Sequence, residues 1–305
     1  MNSPGPAVTR RALLGMAVLA SLAACTRANP PVPSPDPSPP PPSTTRQFHD
    51  RLLELENKFD ARLGVYALDT EGGGTVEHRA DERFAFCSTF KGVAAAAVLQ
   101  RNPLSHLETR VSYSRADLMK HAPVTERHVA TGMTIRQLCD AAVRFSDGTA
   151  GNLLLRDLGG PAALTAFTRG LGDTVTRMDR IEPAITEATP GDLRDTTTPR
   201  AFAADYREIV LGDTLTADKR DFLRDLLQRT VTGAGRIRAG LPHGWTIAGK
   251  TGTGEYGTLN DIAVLWPPGK APIVLAVMSS KAAKDAPYDE ALLAEAARYV
   301  VETLT

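Results

Sequence analysis

Metal-ligand spacing is absent from this chain. Its six histidines are scattered, and its three cysteines, Cys25, Cys87 and Cys139, fall into no Cys/His pattern, so a metal site is not expected. No glycine fingerprint lies between a strand and a helix, which excludes dinucleotide and nucleotide-phosphate cradles, and no other cofactor is implied. Charge of one sign is also lacking. Thirty-five basic residues balance 35 acidic ones, leaving no field for nucleic acid and no run for a charged surface. No apolar stretch reaches the about 20 residues of a membrane-spanning helix, and no internal repeat is found.

What is present begins with an export signal. Arg10 and Arg11 form a positive start, Ala12 to Ala20 is apolar apart from Gly15, and Ala23, Ala24 and Cys25 supply small residues for cleavage. Thr9-Arg10-Arg11 resembles a twin-arginine signal. Leu22-Ala23-Ala24-Cys25 resembles a bacterial lipobox, which makes Cys25 a lipidated first mature residue; the alternative is a chance cysteine beside an ordinary cleavage site. Asn29 to Ser43 is mostly proline interleaved with serine, which forbids helix and sheet and gives an extended spacer. The expected organisation is a signal at 1–24, a linker at 25–45 and one catalytic domain at 46–305. The protein is expected outside the cytoplasm, anchored to the outer face of the membrane through Cys25 or secreted, and monomeric.

Apolar residues recur at helical period from Gln47 to Arg62, and Leu63 to Leu68 reads as a strand. Ser88 opens an Ala-rich helix to Gln100. Thr134-Ile135-Arg136-Gln137 has the form of a capping box, predicting a helix to Phe145. Helices follow over Thr149 to Leu158, Pro161 to Gly170, Pro199 to Leu211 and Thr216 to Arg229. Between them, Arg177 to Arg200 is broken by Pro183, Pro190, Gly191 and Pro199 and reads as a long functional loop. Three apolar runs, Trp245–Gly254, Thr258–Trp266 and Ile273–Ser279, read as strands, and Asp289 to Thr303 closes as a helix. Strands at both ends with helices between predict an α+β fold: an antiparallel sheet built from both termini, an inserted all-helical lobe, and a ligand cleft between the two.

Four short motifs carry chemistry. Ser88 and Lys91 are three apart at a helix start, so they share a face about one turn apart. A lysine of lowered pKa can take the proton of the serine, and a helix N-terminus favours an oxyanion. A capping serine beside a solvated lysine would look the same. Ser146-Asp147-Gly148, at a helix junction, offers a second hydroxyl to relay a proton and a carboxylate to fix the turn; it also fits an ordinary helix-capping turn. Lys250-Thr251-Gly252-Thr253-Gly254 ends a strand, with Thr251 and Thr253 on one face and two glycines that leave room for a ligand backbone. Lys250 there can bind an anion. Glu182-Pro183 lies in the long loop, where a carboxylate held over the nucleophile can activate water, with Arg180 and Asp195 placed to pin the loop.

In this order the motifs resemble those of the penicillin-binding proteins and, more fully, the class A serine β-lactamases. The resemblance runs from about Gln47 to Leu304 and includes Tyr113-Ser114, Pro123 to His128, Pro190 to Pro199 and Arg236 to Pro242. It implies hydrolysis of the β-lactam amide of penicillins or cephalosporins, hence antibiotic resistance, with a small-molecule β-lactam as partner. It implies Ser88 as acylated nucleophile, Lys91 as proton acceptor, Ser146 as relay and Glu182 as base for deacylation. Lys250, Thr251 and Thr253 would bind the substrate carboxylate, with Arg236 where some members carry a supporting guanidinium, and the N–H groups of Ser88 and Thr253 would form the oxyanion hole. Departures from the family pattern fall in the cleft. Gly148 replaces the usual Asn that binds the substrate acyl-amide carbonyl. Thr186 replaces an Asn that helps hold the hydrolytic water, after Ile185 in place of Leu. His121 stands at a usually aromatic position. The positions that pair with cysteines like Cys87 and Cys139 in relatives are Gly254 and Ala95 here, so two free thiols are expected. The alternatives are a D-Ala-D-Ala peptidase that β-lactams acylate, or a sensor that acylates without turnover.

Overall fold

A computed structural model describes residues 44–305, with side chains from residue 50 onward. The export signal, the lipobox and the proline-rich spacer lie outside the described residues. Helix α1, Thr44–Phe59, begins two residues before the expected domain start. Strands β1 (Arg62–Asp69) and β2 (Thr75–His78) follow as a hairpin. The lobe carries α2 (Phe90–Arg101), α3 (Ile135–Arg144), α4 (Gly148–Leu158) and α5 (Pro161–Gly170). After the long loop come α6 (Pro199–Leu211), α7 (Ala217–Gln228) and the short α8 (Ile237–Gly240). Strands β3 (Thr246–Thr253), β4 (Leu259–Trp266) and β5 (Ile273–Ser280) and helix α9 (Glu290–Leu304) complete the chain.

The sheet has the order β2-β1-β5-β4-β3 and is antiparallel throughout. Strands from the two ends of the chain pair directly, Val65 with Val277 and Ala67 with Leu275, so the sheet closes only when both ends are present. Covering both faces makes the inner strands continuously apolar rather than alternating. Leu275 and Val277 pack with α1 and α9 on one side. Val274, Ala276 and Met278 pack with α6 and the lobe on the other.

The expected segment types hold, with shifts at the ends. The capping box at Thr134 is formed, its hydroxyl accepting from Gln137 N while Gln137 Oε1 accepts from Thr134 N. Gly159 ends α4 at φ 98°, a left-handed turn glycine enters without strain. Ser88 differs from expectation. It lies in a 3-10 turn, Cys87–Thr89, that precedes the α-helix instead of opening it. Helix α2 is buried from Phe90 to Leu99; its alanines let it serve as the core helix of the lobe.

Asp147 organises the turn between α3 and α4. Fully buried, it caps α4 through Ala150 N at 2.9 Å and accepts from Val124 N at 3.0 Å and Thr125 N at 2.9 Å. Asp147→Ala leaves these three donors without an acceptor. At about 1–3 kcal/mol for each buried unsatisfied group, a drop of more than about 3 kcal/mol in chemical-denaturation stability is the expected outcome, and Asp147→Asn is expected to fall in between. Cys87 and Cys139 are buried and unbridged, and burial pushes both thiols up to about 12. Thiol titration of the domain from Thr44 onward is therefore expected to read none in the native state and two after unfolding without reductant.

Candidate active site

The site lies where the Cys87–Thr89 turn, the α3–α4 junction, the long loop and β3 converge. Two contacts hold the turn to the sheet. Asn260 on β4 donates to the carbonyls of Ala85 at 2.8 Å and Phe86 at 3.2 Å. Gly252 permits β3 to approach, because a Cβ there would fall 2.6 Å from Phe86 O. A Cβ at Gly254 would fall 2.7 Å from both Cys87 Sγ and Thr186 O. The strand glycines thus make room for the protein's own turn and loop.

Lys91 lies one helical turn beyond Ser88 and is fully buried. Its Nζ is 3.0 Å from Ser88 Oγ, 2.7 Å from the Ser146 carbonyl and 2.6 Å from Glu182 Oε1. Ser88 Oγ also donates to Glu182 Oε1 at 3.0 Å. Both basic groups therefore reach the same hydroxyl. Burial holds Lys91 below the ordinary lysine range, and the Glu182 charge opposes this.

Lys250 is the second buried lysine. It points from β3 toward the lobe, donating to Ser146 Oγ at 3.0 Å and the Thr251 carbonyl at 2.9 Å. Desolvation, then repulsion from Lys91 and Arg236, places it well below the usual lysine value. The hydroxyl of Ser146 thus contacts Lys250, whereas Lys91 meets only its backbone oxygen. On the other face of β3, Thr251 bonds Thr232 Oγ1 at 2.8 Å, and Arg236 Nη2 donates to Thr253 Oγ1 at 2.9 Å. Arg236 also donates to Gly252 O, Asn260 O and Glu290 Oε1. Asp261 lies beneath, its carboxyl raised to about 6 by burial despite Arg236.

The loop carries Glu182 into this cluster and is tied at several points. Arg180 Nε donates to Asp195 Oδ2 at 2.5 Å, and Asp195 Oδ1 accepts from Asp179 N and Arg180 N. Asn152 on α4 clasps the Glu182 backbone on both sides, accepting from its N–H at 3.0 Å and donating to its carbonyl at 2.9 Å. Sequence reading missed Asn152 and Asn260, since an asparagine in a helix or strand carries no signal until its partner is placed. Thr186 donates to the Pro183 carbonyl at 2.7 Å, so its hydroxyl serves the loop backbone. His121 is exposed at the rim; its Nε2 meets the Phe145 carbonyl at 3.1 Å and its carbonyl accepts from Gly148 N at 2.8 Å. A Cβ at Gly148 would lie 2.1 Å from Glu182 Oε2. The space left by the missing Asn is therefore occupied by the Glu182 carboxylate.

A cavity of about 960 Å³ lies behind the loop, lined by Phe84, Ile185 and Arg180 among others but by none of the candidate residues. Among the described residues no group of three or more His, Cys, Asp or Glu is placed to hold a metal ion.

Residues 47–304 match the model of a family described as the beta-lactamase enzyme family. Beta-lactamase AST-1 of Nocardia asteroides is 52% identical over 97% of this chain and 96% of its own. A beta-lactamase of Amycolatopsis lactamdurans is 56% identical over 82% of this chain and 83% of its own. The solved class A beta-lactamase of Clostridium kluyveri superposes with a TM-score of 0.83 at 45% identity, over 85% of this chain and 98% of that one. An antiparallel sheet of both chain ends, a helical lobe, the buried Ser88–Lys91–Glu182 cluster and identity near one half over most of the chain place this protein in the β-lactamase enzyme family, with the class A fold.

Proposed function

We propose that the chain hydrolyses β-lactams through an acyl-enzyme on Ser88, and that Glu182 activates the water that frees it. The observation that carries this reading is the hydrogen bonding of one hydroxyl, Ser88 Oγ, to both Lys91 and Glu182 at 3.0 Å. In acylation, neutral Lys91 takes the Ser88 proton as Oγ attacks the lactam carbonyl. The oxyanion is held by the N–H groups of Ser88 and Thr253. Ser146 donates its proton to the departing lactam nitrogen and recovers one from Lys250, and the proton that Lys91 took from Ser88 restores Lys250 before the next cycle. The substrate carboxylate binds at Lys250, Thr251 and Thr253, where Lys250 has only neutral oxygens as partners, and Arg236 supports Thr253. In deacylation, Glu182 takes a proton from the water that attacks the ester carbon and gives that proton to Ser88 Oγ, 3.0 Å away, as the acyl bond breaks. Gly148, His121 and Thr186 shape the mouth and the water site. The protein is exported, held by a lipid at Cys25, and acts as a monomer; among the described residues no helix is long and apolar enough to cross a membrane.

Turnover of a chromogenic cephalosporin by the domain from Thr44 onward, with intact mass recorded in parallel, tests the reading. Many turnovers with little adduct are expected; one turnover and a stable adduct would mean a trap or a peptidase. Ser88→Ala is expected to abolish both turnover and adduct. Glu182→Ala is expected to form the adduct and retain it, and normal turnover by that variant would remove Glu182 from deacylation. Lys91 must be neutral to accept the proton, and burial lowers its pKa while the Glu182 charge opposes this. The rate should fall about tenfold for each pH unit below the Lys91 transition. Lys91→Arg, charged at all accessible pH, should lose about 10²–10⁴-fold in kcat/KM.

A further inference from the structure

The cavity behind the loop has no part in the chemistry above. Its volume of about 960 Å³ is that of a small-molecule site, for which about 300–1,000 Å³ is usual. Two parts of the chain line it: the loop, with Arg180, Ile185 and Leu193, and the body of the domain, with Arg83, Phe84 and Lys281. Phe84 and Ile185 are buried, whereas Leu193 is 56% exposed. The charges do not balance. Six cations line the cavity against four carboxylates. Arg62 pairs with Glu82 at 2.7 Å, Arg79 with Glu56 at 2.7 Å, Arg180 with Asp195 at 2.5 Å and Arg194 with Asp192 at 2.7 Å. Arg83 and Lys281 form no ion pair among the described residues, and Asp60, the lining carboxylate left over, is exposed. Arg83 donates from Nη1 to Thr196 Oγ1 at 2.9 Å and from Nη2 to the Val175 carbonyl at 3.0 Å. Only part of its fork of N–H donors is spent, on neutral oxygens, and these bonds hold the fork in place. Thr258 also lines the cavity, and its hydroxyl oxygen is buried without a hydrogen-bond partner.

We propose that this cavity is a second ligand site, that it takes a small amphipathic organic anion, and that its occupant braces the Glu182 loop against the body of the domain. The ligand is an apolar body bearing one carboxylate or sulfonate. Arg83 holds the anionic group through its unspent donors, and Lys281 adds a second positive charge. Phe84, Ile185 and Leu193 cover the apolar body. None of Ser88, Lys91, Ser146, Glu182 and Lys250 lines the cavity, so the site is separate from the one at Ser88. An occupant that touches both the loop and the body binds only while the two are together, and by linkage it stabilises that arrangement.

Anilinonaphthalene sulfonate, an amphipathic anion that fluoresces on leaving water, is the probe, titrated into the full chain. Saturable binding is expected. Arg83→Gln, Lys281→Gln and Leu193→Asp should each weaken it about tenfold, the effect of losing one charge-assisted hydrogen bond or of adding one like charge. Lys250→Gln should leave it unchanged. Lys281→Gln and Leu193→Asp remove no side-chain hydrogen bond, so they decide the matter if Arg83→Gln disturbs the fold. Uncharged phenylnaphthylamine should bind about tenfold more weakly than the sulfonate. Three results would each overturn the site: no saturable binding, weakening by Lys250→Gln alone, which would put the anion in the cleft at Ser88, or equal binding of the uncharged probe, which would leave only an apolar patch. Limited proteolysis tests the brace. Saturating sulfonate should slow nicking within residues 177–196 in the wild type and have no such effect in Lys281→Gln at the same concentration. Nicking of the wild type at the same rate with and without the probe would overturn the brace.

Discussion

The buried amino group of Lys91 is the constraint on which the rest depends. At zero exposure such a group is costly unless its hydrogen bonds are met, and more so when it is charged. Its three partners come from three separate segments: Ser88 from the turn before α2, the Ser146 carbonyl from the α3–α4 junction, and Glu182 from the long loop. Each segment has its own anchor. Asn260 fixes the turn, Asp147 the junction, and Arg180–Asp195 with Asn152 the loop. The same contacts that make its burial tolerable bring the Ser88 hydroxyl within hydrogen-bond reach of both Lys91 and Glu182.

Lys250 adds an imbalance with a use. It is buried, repelled by Lys91 and Arg236, and bonded to a hydroxyl and a carbonyl rather than to a carboxylate. An anion at β3 would restore to Lys250 the charge that burial and its cationic neighbours disfavour. Arg236 is in the opposite condition, engaged by two strand carbonyls, Thr253 and Glu290. It stiffens the end of β3 and orients a hydroxyl there. Lys250 is engaged only by neutral oxygens, while Arg236 holds the strand.

Gly148 shows how a single absent side chain changes the site. In the family pattern an Asn at this position faces the substrate. Here the Glu182 carboxylate fills the space that even a Cβ would need. Thr186 is likewise turned to its own loop backbone. The neighbourhood of the base is thus defined by what surrounds Glu182, and less by the side chains that usually accompany it.

Much of this was determined by local sequence. The Thr134–Gln137 box, Gly159 after α4 and the apolar runs from Trp245 to Ser279 each act over a few residues, so element type and order could be read directly. The motif order gave the family, because Ser88, Ser146, Glu182 and Lys250 recur at characteristic separations. Contacts between distant residues were decided only by the tertiary structure. Neither the partner of the Ser146 hydroxyl nor the role of Gly252 and Gly254 follows from spacing. The same holds for Asn152 at the Glu182 backbone. These depend on where segments tens of residues apart meet in a desolvated interior, where a single unpaired donor or charge outweighs any local preference.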